Sequence, residues 1–257
     1  MTDFLLEAQV SPAQQNLPFR ENPFASDCLG KIGSLETRLA RSADEVRAAQ
    51  SLRYQVFIEE MNASVSAECH RLRRDIDAWD RPCDHLLVLD RSIEGDGNEQ
   101  IVGTYRLLRQ SVARENDGFY SACEFDVQDL IDRHPDKTFM ELGRSCVLAP
   151  YRTKRTVELL WQGIWAYALT HKVDVLFGCG SFAGTIPAEH ALALSFLHHT
   201  FLTRDEWAVR AKADLYRTMD MMPKEAIDSR KALASLPPLI KGYLRLGAMI
   251  GNGAVVD

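Results

Sequence analysis

The segment FMELGRSCVL (139–148) has the pattern of a β-strand and carries two residues with chemical potential, Glu141 and Arg144. A carboxylate can accept a proton from a nucleophile, and a guanidinium can hold an anionic group. On a regular strand these two side chains would point to opposite faces. Gly143 lies between them and would allow a β-bulge that brings both to one face. A plain ion pair on a strand remains the alternative.

Two aspartates and two arginines could form a second charged group. Asp77 and Asp80 lie in the irregular segment DAWD, where an aspartate commonly caps a turn. They could also hold Arg53 and Arg106 in a charge cluster, or pair with a cationic substrate. Arg106 lies on a predicted strand and could bind a carboxylate through two parallel hydrogen bonds.

The histidines and cysteines give weaker signals. His190 and His198 are two helical turns apart and His199 follows, but no acidic or cysteine ligand stands at zinc spacing, so we predict no metal. The six cysteines form no CxxC pair, which predicts reduced thiols in a cytosolic protein. A covalent acyl-cysteine route through Cys146 or Cys179 remains open, because the fold could supply a histidine to either thiol.

Composition excludes several classes of protein. The 257 residues are 46% hydrophobic and 26% charged, which is typical of a globular chain and not of collagen, a coiled coil or a disordered chain. The net charge of −6 argues against nucleic acid as a partner. The sequence has no apolar run of about 18 residues and no signal peptide, so it predicts a soluble intracellular protein.

The order of elements predicts a mixed α/β fold built on one sheet. Residues 1–30, rich in Gln, Asn, Pro and Ser, predict a poorly ordered extension. Residues 236–251 are apolar but interrupted by Pro and Gly, which fits either a buried return of the chain or a segment that touches lipid. The other predicted elements are a strand at 35–39, a helix that begins after Ser42, a hairpin of strands 85–90 and 101–109, a helix from about Thr156 to His171, a strand at 173–179 and a helix that begins at Pro187.

Several separated motifs resemble known acyltransferases in order and spacing. LRYQVFIEEM, DAWD, VGTYRLLR and MELGRSCV resemble the acyl-homoserine-lactone synthases. LAPYRTKRTVELLWQGI, LFGCGSFAGTIPAEHALALSFLHH and LPPLIKGYLRLGA resemble the L-ornithine N-alpha-acyltransferases. The resemblance implies an acetyltransferase-like (GNAT-type) domain over 31–257, with a mixed central sheet flanked by helices. It places functional residues at Arg53, Phe57, Asp77, Asp80, Arg106, Glu141 and Arg144.

The resemblance also implies a reaction. A 3-hydroxyacyl group would pass from acyl carrier protein to the alpha-amine of L-ornithine and give lyso-ornithine lipid. Glu141 would take the amine proton, and a backbone N–H between Arg144 and Val147 would stabilise the thioester oxygen. The sequence lacks the tryptophan that the lactone synthases carry shortly after Phe57, which weakens the lactone option.

The donor is expected to bind through its phosphate and through a basic patch on the protein. The loop from Arg152 to Thr156 lacks the glycines that wrap a coenzyme A pyrophosphate, which fits the single phosphate of a phosphopantetheine arm at a helix N-terminus. The arm arrives with the carrier protein, so no further cofactor is expected. Since carrier proteins are acidic, basic side chains would attract them, and the residues expected to contribute are Arg71, Arg73, Arg74, Lys154 and Arg155.

Two other functions remain open. One is N-acyl transfer to another amine, including lactone synthesis, and the other is a non-catalytic module that binds carrier protein or lipid. The lipid character of the expected product adds an expectation of contact with the inner face of the membrane.

Overall fold

The computed structural model describes residues 28–256, so nearly all of the predicted N-terminal extension lies outside the described residues. The described chain forms two compact units, one of residues 28–118 and 138–177, the other of residues 119–137 and 178–256. The prediction of a single acyltransferase domain over 31–257 stays a prediction.

The first unit is built on a six-stranded sheet whose strands follow sequence order, which confirms the predicted mixed α/β class. Neighbouring strands are antiparallel from β1 to β5, and β6 runs parallel to β5. The strands are β1 (Gly30–Ile32), β2 (Leu35–Leu39), β3 (Asp84–Asp90), β4 (Ile101–Arg109), β5 (Phe139–Val147) and β6 (Val175–Phe177). The predicted strand at 173–179 is therefore shorter than expected, and the hairpin lies where the sequence places it.

The helices of the first unit are α1 (Ala43–Arg53), α2 (Ala67–Leu72), α3 (Gln110–Arg114) and α5 (Lys154–Thr170). Side chains cap the starts of α1, α2 and α5, but not that of α3. Ser42 Oγ accepts a hydrogen bond from the backbone N of Glu45 at 3.2 Å, which confirms the predicted start of α1. The Thr153 side chain caps α5, so this helix begins two residues before the predicted Thr156. After Arg53 the chain continues in a π-helical segment, Tyr54–Glu60.

The two faces of the sheet have different surroundings. One face packs Leu86, Tyr105 and Leu142 against Leu159 and Ile164 of α5. The other face packs against α1, and it also receives the side chains of three buried polar residues because strand side chains alternate. Those residues are His85, Arg106 and Glu141.

The second unit is mainly helical. Its helices are α4 (Val127–Arg133), α6 (Ala191–Phe201), α7 (Ser229–Ser235) and α8 (Pro238–Arg245). The predicted helix at Pro187 begins with a short 3₁₀ turn, Pro187–His190, that leads into α6. Phe196, Met219 and Ile240 belong to the core of this unit. In the part of the chain that the structure describes, no helix is both long and apolar enough to cross a membrane.

Candidate active site

A β-bulge in β5 lies at the point where the sequence places one. Thr104 pairs with Cys146, but Arg106 pairs with Gly143, so Arg144 and the following serine both lie opposite Tyr105. Arg144, not Gly143, takes the left-handed backbone conformation, with φ of 50°. A non-glycine residue there costs on the order of 1 kcal/mol, and such strain is concentrated at functional sites.

The bulge places Glu141 and Arg144 on the face that packs against α1. Glu141 pairs with Leu108, two residues from Arg106, so Glu141 and Arg106 share this face. Arg144 and Arg106 both contact Asp77, so Arg144 reaches the same face. Mid-strand, β5 changes from buried to half-buried at Gly143, which opens the site to solvent at the bulge.

Three arginines and three aspartates form one cluster on this face. Arg53 Nε lies 2.8 Å from Asp75 Oδ2, and its Nη1 lies 2.7 Å from Asp80 Oδ1. Arg106 contacts both Asp77 and Asp80 through Nη1. The third arginine lies at hydrogen-bond distance from two of the same carboxylates. Arg144 Nη2 is 3.2 Å from Asp77 Oδ2, and Arg144 Nε is 3.2 Å from Asp75 Oδ2.

Asp77 and Asp80 both cap a turn and form ion pairs with arginines. Asp77 Oδ1 accepts from Trp79 N at 2.9 Å, and Asp80 Oδ2 accepts from Asp77 N at 3.2 Å, so the pair caps the 3₁₀ turn Ala78–Asp80. The same carboxylates carry the ion pairs to the arginines. The cap therefore fixes the position of the anions that hold Arg53 and Arg106.

The charges of the cluster stabilise one another. Burial alone raises the pKa of the Asp80 carboxyl, but the guanidinium groups of Arg53 and Arg106 lower it by more, and it lies well below its usual range. Burial also raises the pKa of Asp77, yet Arg106 and Arg144 bring it below its ordinary value. Both aspartates are thus ionised at neutral pH.

The three arginines differ in how far their side chains are exposed to solvent. The side chains of Arg53 and Arg106 are 0% and 3% exposed, whereas that of Arg144 is 27% exposed. A substrate carboxylate would meet Arg144 first. Arg106 is engaged by two carboxylates, so the geometry favours a supporting role for it over the carboxylate clamp that the sequence suggested.

Three neighbours of the cluster were missed by the sequence interpretation. Asp75 is buried and bonds Arg53, and Gln50 Nε2 donates to Asp80 Oδ2 at 3.0 Å. His85 lies opposite Arg106 in the ladder, and its Nε2–H donates to the Asp80 carbonyl at 2.8 Å. Burial lowers the pKa of His85, so its imidazole is neutral. The register of the hairpin is the signal that could have identified His85.

Phe57 lies within the π-helical segment Tyr54–Glu60 and is half-buried. It packs against a cluster that includes Ala49 and Leu87, on the α1 side of the sheet. The structure therefore places it beside the charged face, and its functional role stays a prediction.

The predicted phosphopantetheine residues follow β5 directly. Arg152 Nε donates to the Val147 carbonyl at 2.9 Å, and Arg152 also contacts Glu60. Thr156 is fully buried, and its backbone N donates to Thr153 Oγ1 at 3.4 Å. The first N–H groups of a helix have no intrahelical acceptor, so Lys154 and Arg155 offer the amides that a phosphate could meet.

The basic stretches are less positive than their composition indicates. Arg71 binds Glu68 at 2.8 and 2.6 Å, and Arg73 contacts Glu59. Lys154 Nζ lies 3.4 Å from a carboxylate oxygen one helical turn later. Burial lowers the pKa of Arg74, and the neighbouring Arg47 lowers it further.

The histidine cluster of the second unit does contain a carboxylate. His199 Nε2 lies 3.1 Å from Asp220 Oδ1 and 3.0 Å from the Met222 carbonyl, and His198 Nε2 lies 3.9 Å from Asp220 Oδ2. These atoms are close enough to surround a metal ion. A nitrogen that faces a carbonyl oxygen carries a proton and donates it, so His199 Nε2 is a hydrogen-bond donor here. The predicted absence of a metal stays a prediction.

The two cysteines of the alternative covalent route differ in environment. Cys146 is buried on β5, and burial raises the pKa of its thiol to about 12, which disfavours the nucleophilic thiolate. Cys179 is exposed in the second unit, with Sγ 3.7 Å from Glu124 Oε2. The environment of Cys146 therefore disfavours the covalent route, and the route through Cys179 stays a prediction.

The comparisons with known proteins agree with this geometry. Residues 52–162 match the acetyltransferase (GNAT) domain family, and all the predicted site residues lie in this stretch. The fold and the matched domain define an acyltransferase of the GNAT type, as the resemblance implied.

The relatives narrow the class to one family. The chain is 71% identical over 233 residues to the L-ornithine N(alpha)-acyltransferase of Rhizobium meliloti strain 1021. The aligned residues cover 91% of this chain and 79% of the relative. The chain is 62% identical over 248 residues to that of Agrobacterium fabrum strain C58, covering 96% and 83%. The chain belongs to the L-ornithine N(alpha)-acyltransferase family.

Among solved structures, the AHL synthase LasI is similar over 57% of this chain and 72% of its own. Its TM-score is 0.38 at 17% identity. The assignment to the family rests on the relatives above.

Proposed function

We propose that this chain transfers a 3-hydroxyacyl group from acyl carrier protein to the alpha-amine of L-ornithine and releases lyso-ornithine lipid. The identity of 71% to a relative named for ornithine acylation carries the proposal. In the reaction the amine nitrogen forms a C–N bond to the acyl carbon and the C–S bond of the thioester breaks. The amine gives up a proton, and the carrier leaves as a free thiol.

Glu141 is proposed as the proton acceptor, directly or through a water. The amine is protonated at neutral pH and must lose a proton before it can attack. Glu141 is 4% exposed and faces the same side of the sheet as the arginine–aspartate cluster. A buried carboxylate on the substrate-binding face supports this role.

The bulge is proposed to stabilise the thioester oxygen. The extra residue of a bulge lies outside the regular ladder, so backbone N–H groups there can point toward a ligand. The candidates run from Arg144 to Val147, as the sequence predicts. A donor aimed at the developing oxyanion contributes about 10²–10³-fold to the rate.

The charged cluster supports recognition of a zwitterionic substrate with a cationic side chain. Arg144 is the accessible guanidinium and would bind the carboxylate of ornithine. Asp75 and Asp77 both lie 3.2 Å from Arg144, and the Asp77 side chain is the more exposed of the two (14% against 8%), so Asp77 would attract the side-chain ammonium. The cluster has three positive and three negative side chains. A substrate carboxylate and a substrate ammonium could therefore each replace one internal ion-pair partner without leaving a net buried charge.

The carrier arm is proposed to enter along the start of α5. Its phosphate would meet the amides of Lys154 and Arg155 and the positive end of the helix. Arg155 is exposed, and Arg152 holds the end of β5 through the Val147 carbonyl. Carrier docking would then rely on Arg155 and Arg74 more than on Arg71 and Arg73, which are paired with glutamates.

The test is release of free thiol from 3-hydroxyacyl carrier protein by the purified chain, with one amine at a time. Ornithine should support release, and mass spectrometry should show acylation at the alpha-amine. Norvaline, which lacks the side-chain ammonium, should lose at least about tenfold in kcat/KM if a carboxylate binds that group.

Two results would favour the other functions. Release with S-adenosylmethionine or lysine but not with ornithine would keep the acyl transfer and change the amine. Carrier binding without release for any amine would assign a non-catalytic module. The expected cytoplasmic location, and the absence of a cofactor other than the carrier's phosphopantetheine, stay proposals.

A further inference from the structure

The last described segment of the chain has an unusual charge. Residues 229–256 contain four cationic side chains and no acidic one, although the whole chain has a net charge of −6. The four are Arg230, Lys231, Lys241 and Arg245. The rest of the chain therefore carries a larger negative excess than the total shows. A basic segment in an acidic chain is suited to an anionic partner.

The same segment exposes large apolar side chains. Leu233 is 45% exposed, Leu239 38%, Leu246 62% and Met249 54%. Leu239 lies on α8 and Leu246 directly follows the last residue of this helix, and their spacing of seven residues, about two helical turns, brings both to one side of it. Single exposed apolar residues are normal on a protein surface, whereas here four occur within 17 residues, in the same stretch as the cations.

The group is held by well-packed elements. Ile240, between the exposed leucines, is 5% exposed and belongs to the core of the second unit. The Asp228 side chain caps α7, and Lys241 Nζ donates to the Ala234 carbonyl at 3.2 Å. At the end of α8, Gly247 takes a φ of 87°, which only glycine adopts readily. These contacts hold the elements that carry the exposed leucines and the cations.

We propose that residues 229–249 form a docking surface for an anionic lipid bilayer. Cations attract acidic headgroups, and leucine and methionine side chains enter the boundary between headgroups and acyl chains. An acidic protein would satisfy the cations but would gain less from four exposed apolar side chains. The inference rests on the proposed function, because an enzyme whose product is amphiphilic would release that product at the membrane.

The experiment is co-sedimentation of the purified chain with vesicles of phosphatidylcholine alone or mixed with phosphatidylglycerol. Binding should require the anionic lipid and should fall when salt rises from about 50 mM to about 500 mM. The double variant Lys241→Gln/Arg245→Gln should bind about 25-fold more weakly, since each cation near the surface contributes about a factor of five. Lys31→Gln/Lys172→Gln removes two exposed cations of the first unit and should bind as the wild type does.

Several outcomes would overturn the proposal. They are no binding to anionic vesicles, equal binding of the Lys241→Gln/Arg245→Gln variant, or a change of oligomeric state in Leu246→Ser/Met249→Ser with vesicle binding retained. A higher KM for carrier protein in the first variant, without vesicles, would assign the surface to the carrier instead. Thiol release in the absence of vesicles tests the proposed function separately. If release fails while vesicle binding holds, only the proposed function falls.

Discussion

Replacing Asp80 with asparagine should destabilise the first unit strongly. Asp80 binds Arg53 at 2.7 and 2.9 Å and Arg106 at 3.2 Å, and its side chain is 9% exposed. Asparagine keeps the shape but removes the negative charge, so two buried guanidinium groups each lose a counterion. Removing one partner of a buried ion pair costs about 3–5 kcal/mol.

The effect is measured as the free energy of unfolding in urea at neutral pH. A loss of about 3–5 kcal/mol would be a large part of the roughly 5–15 kcal/mol that stabilises a typical protein. The control is Asp44→Asn, which breaks a pair with Arg47 whose side chains are 66% and 50% exposed. Such a surface pair contributes only about 0–1 kcal/mol, so this variant should unfold like the wild type.

The stability that these Asp80 ion pairs supply should depend on pH. The folded pKa of Asp80 is lowered, so its stabilisation is fully present above the unfolded value of about 3.9. It is lost as the pH falls below that value toward the folded pKa. The gap between wild type and Asp80→Asn should therefore narrow from about pH 5 downward. A variant within about 1 kcal/mol of the wild type at pH 7, or a gap that does not change with pH, would refute the reasoning.

Further predictions concern packing and thiol reactivity. A Cβ on Gly163 would lie 2.9 Å from Thr37 Cγ2, so Gly163→Ala should lower the urea midpoint, with overpacking costing about 1–3 kcal/mol. Gly242→Ala meets nothing within 4 Å in helix α8 and should raise the free energy of unfolding by up to about 1 kcal/mol. Burial raises the pKa of Cys83 and Cys146 to about 12, so both should react with iodoacetamide at least about tenfold more slowly than the exposed thiols, by mass spectrometry. Cys146→Ala should retain acyl transfer, and loss of the activity in a folded variant would revive the acyl-cysteine route.

The bulge in β5 marks how far the sequence could predict the site. Alternation gave the strand and Gly143 indicated a break in it, and the break occurs there. The sequence could not show that Arg144 takes the left-handed conformation, because glycine is the residue usually found there. The contacts of Arg144 with two carboxylates offset the cost of this backbone conformation.

Long-range contacts explain what else the sequence missed. Glu68 and Arg71 are three apart on a helix, and that spacing could have shown that the basic stretch is partly neutralised. The pairing of Arg73 with Glu59 depends on the turn between two helices and leaves no such pattern. Asp220 approaches His199 from a separate loop, so no metal-ligand spacing could reveal it.

Glu141→Gln tests the central claim most directly, which is that the bulged strand carries the proton acceptor for acyl transfer. The measurement is single-turnover formation of acyl-ornithine from 3-hydroxyacyl carrier protein, with the exposed Glu115→Gln as the control. We expect the rate to fall by about 10²–10⁴-fold in Glu141→Gln, measured under conditions where urea unfolding shows the variant to be folded. The control should match the wild type. A rate for Glu141→Gln within about twofold of the wild type would contradict the account.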